Sequence, residues 1–450
     1  MNPKKLSRRS FLQAAGALGM GAGLARAVPA FGSPFMQNTN LRWWWWADEP
    51  GFSAWVDDVA ARFAAQHAGT SVETLQMDVS AVITQFTTAA AAGEPPDVQF
   101  LWNGLYHMEN VWLGYLDPLN DYLPADVLRD SNATAMSVYD GGQYRVGWYP
   151  VPLLFEYNKD VWDQAGLDAD NPPATWDGWM GACEALKTAG FVPFGGGASD
   201  GYWGEWYLTL MLTQALNNGG EGIDLFIGER DFREPRYWEF WAKLEEMVQA
   251  GFLNDDILSI DLFSAVNKVL TGEIATTLNV GAVLPSHIAQ IGDRVGMMIA
   301  PLYSDGAMGG KPISDTQGFG IPSGSRNKEL AAELLALAQS PESLDAMWNL
   351  TRYFPANKTW DPSPIDDPTL RQLYDGWVGA ETTLWLSVLM PTMFWTDAMF
   401  VAAQEILAGR MTAEQAGEQH ASIVSQWRML NDDLIPNYQV FAASIAAEAL

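Results

Sequence analysis

Cysteine is nearly absent from this chain: Cys183 is alone among 450 residues. No intramolecular disulfide can form, and no cysteine near the amino terminus offers a lipid attachment site. At helical spacing with its apolar neighbours, Cys183 reads as a small core residue. Histidine is sparse as well. His67, His107, His287 and His420 lack metal-ligand spacing, and neither a GxSxG elbow nor a phosphate-loop pattern occurs, so no metal, no cofactor and no catalytic residue is expected. The glycines at 195 to 197 lack the Lys-Ser or Lys-Thr that a phosphate loop needs. Cations are the third shortage, with 25 Lys and Arg against 54 Asp and Glu and a formal charge of −29. A surface of that sign repels nucleic acid and anionic membranes, although salt screens it beyond about 10 Å. It favours a neutral or cationic ligand.

Long apolar runs are missing after residue 27, so nothing beyond that point reads as a membrane span. Before it, Lys4, Lys5, Arg8 and Arg9 precede an apolar run from Phe11 to Leu24 and the small-x-small site Ala25-Arg26-Ala27. This is the build of an export signal cleaved after Ala27. Ser7-Arg8-Arg9-Ser10-Phe11-Leu12 is similar to the twin-arginine type, which exports folded protein. Residues 1–27 are thus expected to leave, taking five cations with them and bringing the balance to about −34. A periplasmic protein, soluble after cleavage, is expected, with residues 28–39 as a tether.

The mature chain opens with a strand, Leu41 to Trp46, carrying four consecutive tryptophans. A helix capped by Ser53 follows, with Trp55, Val59 and Phe63 inward. A strand near Ser71 to Met77, an alanine-rich helix to Ala92, a strand from Asp97 to Trp102 and a helix ending near Leu116 complete a β-α-β-α-β alternation. That alternation predicts a parallel sheet covered by helices. Tyr144 to Tyr157 is apolar and β-branched but interrupted by Pro150 and Pro152. Because proline cannot donate to a ladder, it reads as two strands with an extended joint, where the chain crosses between domains. Thr175 then caps a helix with Trp176, Met180, Cys183 and Leu186 on one face. Further on come a strand from Phe191 into the glycines, a helix from Tyr237 to Ala250 stopped by Gly251, and strands at Ile274–Val280 and Val295–Ala300. A helix spans Lys328–Ala338, and a C-terminal helix opens with Thr412 and Gln415 as a capping box. Its expected stripe is Ala416, Ile423, Val424, Trp427, Leu430 and Leu434.

YNKDVWDQAG with PPATW, GEPPDV before a strand, TGEIATT, SRNKELAAELL with its SPE boundary and RYFPAN sequel, and AGRMTAEQA occur in that order. As an ordered set they resemble the carbohydrate-binding family of extracellular solute-binding proteins of ATP-binding-cassette importers, of which maltose-binding protein is the familiar member. The resemblance implies a two-lobed α/β fold of the periplasmic-binding-protein type II (Venus flytrap) kind, with hinge segments between lobes. The expected lobes are 40–152 with 298–355, and 153–297 with 356–450. It also implies a monomeric, non-enzymatic receptor that captures a neutral sugar or short oligosaccharide in the cleft and presents it to permease subunits. Two positions depart from the family pattern. Gly178 stands where an acidic residue is usual, and Asn279-Val280-Gly281-Ala282 stands where an aromatic usually stacks on sugar.

A pyranose has apolar C–H faces and a rim of hydroxyls, so its receptor needs flat rings flanked by carboxylates and amides. Such sets recur at strand-to-helix loops, the places that face a binding crevice in open α/β sheets. They are Trp46 with Asp48 and Glu49; Trp102 with Asn103 and Tyr106; Asp200 with Tyr202, Trp203 and Trp206; and Trp395 with Asp397. Glu156 at the crossing, and Asn279 and Gly281 after the buried strand, complete the ligand-binding candidates. Each has a plainer reading. Strand alternation makes at least two of Trp43 to Trp46 core, and Trp102 and Trp395 could simply pack. One of Trp203 and Trp206 binds and the other packs, Glu156 is either a cleft acceptor or a solvated strand residue, and Asp48 and Glu49 could only favour a helix N-terminus. Carboxylates beside tryptophans also describe an exported glycoside hydrolase, whose two acids flank the scissile bond.

Overall fold

The computed structural model describes residues 39–46, 51–78, 81–131, 137–380 and 382–447. The expected export signal, all but the last residue of the tether, and Asp48 and Glu49 lie outside the described residues.

The tryptophan run is sorted by strand alternation. In β1 (Thr39–Trp45), Leu41, Trp43 and Trp45 point into the core, while Trp44, and Trp46 just beyond, stay half-buried on the other face. Trp43 packs edge-on against Trp55 and Phe319, with centroids 6.1 and 5.1 Å away. β1 pairs in parallel with β2 (Thr70–Gln76) and β3 (Val98–Leu101). The helix Phe52–Gln66 joins β1 to β2 and buries Trp55, Val59 and Phe63 at the expected spacing. Ser53 is not its cap. The helix starts two residues earlier, behind Gly51.

The predicted break at Pro150 and Pro152 is corrected by the structure, where Val146–Asn158 is one buried strand, β4. With β5 (Thr276–Val280), β6 (Val295–Met298) and β7 (Ile313–Gly320), the described residues form a seven-stranded sheet in the order β2-β1-β3-β7-β4-β5, β6 also pairing with β4. The prolines are tolerated because they lie before β5 begins, on a stretch that pairs with β7 alone. Two residues apart, they share one parity, and that edge is covered by the segment 353–356. There the Tyr353 hydroxyl donates to the Pro150 carbonyl at 2.9 Å and the Ala356 amide to the Trp148 carbonyl at 2.9 Å. No ladder amide is therefore demanded of either ring nitrogen.

β4 changes partners at Leu153, which faces Ile313 of β7 and Val280 of β5. Its first half lies with the β1–β3 part of the sheet through β7. Its second half lies between β5 and β6, both antiparallel to it. The parallel expectation therefore holds for β1 to β3, while the strands at the crossing are antiparallel.

Beyond the crossing, the Thr175 hydroxyl accepts from the Gly178 amide at 3.3 Å and caps Trp176–Thr188. That helix buries Trp176, Trp179, Cys183 and Leu186, with Trp179 in the central position assigned above to Met180. Phe191 to Gly197 forms single bridges at Val192 and Gly195 instead of a strand. Its glycines serve close packing, since a Cβ on Gly196 would stand 2.1 Å from the Trp203 indole. The helix Pro235–Ala250 stops at Gly251 as expected. The Thr412–Gln415 capping box is present at the start of Ala413–Leu430. Its apolar stripe ends early: Leu430 is 73% exposed, the chain turns, and Ile435–Ala447 forms a separate last helix burying Tyr438, Phe441 and Ile445.

Candidate functional site

Trp46 and Trp102 follow the carboxyl ends of β1 and β3, neighbours in the parallel ladder, and this brings their rings to 5.0 Å. Tyr106, in the first turn of the helix Leu105–Trp112, lies 6.2 Å from Trp102. From the other half of the sheet come Tyr202, which opens the helix Tyr202–Leu212, and Trp395 and Phe400. Tyr106 meets Trp395 edge to face at 5.4 Å, Trp395 meets Tyr202 at 6.3 Å, and Tyr202 meets Phe400 at 5.8 Å. Six rings thus form one line across the junction. The backbones approach closely there. A Cβ on Gly104 would stand 2.4 Å from the Val388 carbonyl oxygen, and the φ of 60° and ψ of −139° at Gly104 suit glycine alone.

A carboxylate that the sequence reading missed lies beside the rings. Glu205, one helical turn after Tyr202, is 4% exposed. It accepts from the Trp385 indole at 2.7 Å and from the Ser387 hydroxyl. The Ser387 carbonyl in turn accepts from the Trp395 indole at 2.9 Å, so one chain of hydrogen bonds joins acid and ring. Burial pushes the Glu205 carboxyl up to about 7, against the lowering pull of its two donors. The Tyr106 hydroxyl is raised well above its ordinary value, first by burial, then by Glu205, Tyr202 and Glu109. Tyr202 is raised by burial, then by Glu205, Asp200 and Asp78. An acid three residues after a loop aromatic in a helix is the signal that would have found Glu205, because i and i+3 share a face.

Of the predicted residues, Trp46, Trp102, Tyr106, Tyr202 and Trp395 come together in this line. The other described candidates are placed elsewhere. Trp203 is 0% exposed and stacks on Tyr207 at 5.3 Å, while buried Trp206 packs on Phe263. Both therefore pack, in place of the expected division of roles. The helix turns Tyr202, Glu205 and Thr209 toward the segment holding Ser387, whose amide donates to Thr209. Asn103 is buried, its amide given to the Asp315 carboxylate of β7, which pairs with buried Arg145. Asp200 accepts from the Tyr202 and Leu262 amides at 3.2 and 3.3 Å, and exposed Asp397 accepts from Thr396. Glu156 is neither a cleft acceptor nor solvated. Pairing of β4 on both edges buries it, and it accepts from Asn279 at 2.6 Å and meets His287 at 2.8 Å. Gly281 is packed against the Pro152 ring. Glu156, Asn279 and Gly281 thus form no part of the aromatic line. Nor do the two walls leave a slot, since Tyr106 and Trp395 touch and a sugar stacked between them needs them parted. A separate cavity of about 470 Å³, lined by Tyr157, Lys159, Asp170, Met298 and Trp377 among others, shares no residue with this line.

A helix-covered sheet whose crossing strand serves two halves, with rings from both halves meeting at the junction, is the architecture of a two-lobed binding protein. The chain belongs to the bacterial extracellular solute-binding proteins, whose family model matches residues 58–372. Among curated relatives it is similar to the sn-glycerol-3-phosphate-binding periplasmic protein UgpB of Rhizobium meliloti (strain 1021), 31% identical over 107 residues, and to that of Escherichia coli (strain K12), 31% identical over 110. Each match covers 22% of this chain and 23% of the relative, so the chain spans less than a quarter of the length of either. Among solved structures, a chitin oligosaccharide binding protein superposes with a TM-score of 0.74 at 20% identity, covering 87% of this chain and 99% of the other. The binding protein MsmE of Bacillus subtilis subsp. subtilis str. 168, in an open conformation, gives 0.73 at 17%, covering 88% and 99%. RafE in complex with raffinose gives 0.69 at 16%, covering 86% and 99%. The shared fold is that of two-lobed periplasmic solute-binding proteins. No helix among the described residues is long and apolar enough to cross a membrane.

Proposed function

We propose that this protein is the periplasmic receptor of an ATP-binding-cassette importer. It takes a neutral sugar or short oligosaccharide between its lobes and hands it to the permease without chemistry, as a monomer freed of residues 1–27. The observation that carries the reading is the line of six rings from both halves, with buried Glu205 beside it. Flat rings suit the C–H faces of pyranoses, and acids and indole N–H groups suit their hydroxyls. The fold neighbours named for chitin oligosaccharide and raffinose lend support.

For the lobes we propose 40–152 with 298–355, and 153–297 with 356–450. The change of partner at Leu153 supports the first boundary, and the covering of the Trp148 and Pro150 carbonyls by residues 353–356 supports the third. That β6 lies with the second half and β7 with the first supports a return crossing near the second boundary, Met298 itself still pairing with Phe155. Ligand entry parts Tyr106 from Trp395 by a hinge motion.

A thermal-shift screen of the mature protein against neutral sugars tests this. A ligand at 100 times its dissociation constant adds about 2.7 kcal/mol of stability. Failure of every neutral sugar to shift the melt sinks the sugar reading, and steady product release from a bound oligosaccharide replaces it with the hydrolase.

A further inference from the structure

The junction has a sign of charge that the rings alone do not explain. Among the described residues, the charged groups that raise the Tyr106 and Tyr202 hydroxyls are acids: Glu205 and Glu109 for the first, Glu205, Asp200 and Asp78 for the second. Glu205 draws its hydrogen bonds from neutral donors, an indole and a hydroxyl. Arg145, buried behind Asn103, is turned to Asp315, to the Thr316 carbonyl and to Ser137. The amino end of the helix Tyr202–Leu212 is a place where backbone N–H groups could greet an anion. Its Tyr202 amide already donates to Asp200 and its Gly204 amide to the Gly201 carbonyl.

A phosphate monoester or a uronic acid is held by cations or by free N–H groups, whose charge-assisted hydrogen bonds repay its desolvation. This junction offers acids instead. An ammonium group gains twice here, from carboxylates and from ring faces. A neutral polyol can donate its hydroxyls to the same acids.

We infer that the cleft selects by charge as well as by shape, admitting polyhydroxylated ligands that are neutral or carry an ammonium group and rejecting phosphate monoesters and uronic acids, with Glu205 as the residue that sets this choice. The inference rests on the aromatic line being the ligand site. It separates this chain from the UgpB relatives, which are named for sn-glycerol-3-phosphate.

The test is calorimetric titration at pH 8, above the value of about 7 to which burial raises Glu205, of the mature protein and of Glu205→Gln with sn-glycerol-3-phosphate and three disaccharides of one size: cellobiose, its uronic acid counterpart and the glucosamine dimer. Glutamine retains an oxygen that can accept from Trp385 and Ser387, so an apo melt matching the wild type at pH 5, where the wild-type carboxyl is protonated, verifies the fold. In the wild type, no heat is expected from the phosphate or the uronic sugar, and the glucosamine dimer should bind at least as tightly as cellobiose. In Glu205→Gln, discrimination between the charged and neutral disaccharides should shrink by about tenfold or more. Micromolar binding of glycerol-3-phosphate or the uronic sugar by the wild type overturns the inference, and unchanged discrimination in Glu205→Gln removes Glu205 from it. If all three disaccharides are silent but glycerol-3-phosphate binds, selection against anions is refuted; silence of all four ligands overturns the sugar reading and, with it, the inference that rests on it.

Discussion

Truncating Trp395 to alanine removes the ring on which both halves of the junction converge. Trp395 touches Tyr106 at 5.4 Å, Tyr202 at 6.3 Å and Phe400 at 5.7 Å, and its indole donates to the Ser387 carbonyl. Because the residue is only half-buried without ligand, the apo protein loses part of a core burial and one hydrogen bond of about 1 kcal/mol. We expect a fall in apo stability of about 1 to 2 kcal/mol, below the roughly 3 to 5 kcal/mol of a core tryptophan. The ligand loses a stacking face and the geometry of the Ser387–Glu205 chain. That is a hot-spot-sized change of about 2 kcal/mol, near thirtyfold in affinity. Trp203→Ala is the internal control, because that ring is buried in the second half and off the line. It should melt far earlier yet, where still folded, bind within a few-fold of the wild type. The assay pairs urea denaturation of the apo proteins with tryptophan-fluorescence titration of the sugar that the screen returns. Trp395→Ala with affinity intact and a steep loss of apo stability would show that this ring is packing, and the site would have to move.

Glu205 also predicts a pH profile. Its folded carboxyl is raised to about 7 from the ordinary 4.5, so the unfolded chain ionises first, and stability is complete below about pH 4.5 and declines as pH rises to about 7. The span is on the order of 2 to 3 kcal/mol; urea denaturation at pH 5 and pH 7.5 should show Glu205→Gln nearly flat in this component relative to the wild type, and parallel profiles would refute it. Gly104→Ala places a Cβ against the Val388 carbonyl at a φ that suits glycine, so a loss of about 2 kcal/mol or more is expected in denaturant melts. Arg8→Lys with Arg9→Lys should abolish export of a folded reporter fused to residues 1 to 30, and undiminished export would indicate the ordinary secretory route.

What the sequence reveals follows what is local. Helix spacing places Trp55, Val59 and Phe63 inward, and cap chemistry marks Thr175, Thr412 and Gly251, because these depend on neighbours within a turn. β1 to β3 are legible from alternation, and so is the division of the tryptophans between the buried and the half-buried face of the strand. The errors come from partners distant in sequence. Nothing near Pro150 and Pro152 says that residues 353 to 356 cover that edge, so a continuous strand looks broken. Nothing near Glu156 shows β5 and β6 closing on both sides of it, with Asn279 donating to its carboxylate and the His287 ring beside it. Trp203 and Trp206 share a loop start with Tyr202, but only the packed helix fixes which face meets the junction. Glu205 was missed for the same reason, since its worth depends on Ser387 and Trp385, some 180 residues away.

Both walls of the junction are tied to one point on β7. The first wall is held by a side chain: Asn103, next to Trp102, gives its amide to Asp315, which faces Val151 of β4. The second is held by backbone, because Ser314 donates to the Thr383 carbonyl at 3.2 Å and Thr383 donates to the Pro312 carbonyl at 2.9 Å, anchoring the segment that leads to Trp385, Ser387 and Trp395. Adjacent residues 314 and 315 therefore carry the two tethers. The first is one hydrogen bond and the second two, and the loss of any of them leaves buried groups unpaired, at about 1 to 3 kcal/mol apiece. An opening that parts Tyr106 from Trp395 while keeping both tethers must bend β7 and β4 at this point, where β4 changes partners at Leu153. On the proposed opening the rings would swing as two sets about the strands that join them, which is how aromatic residues distant in sequence would serve one ligand.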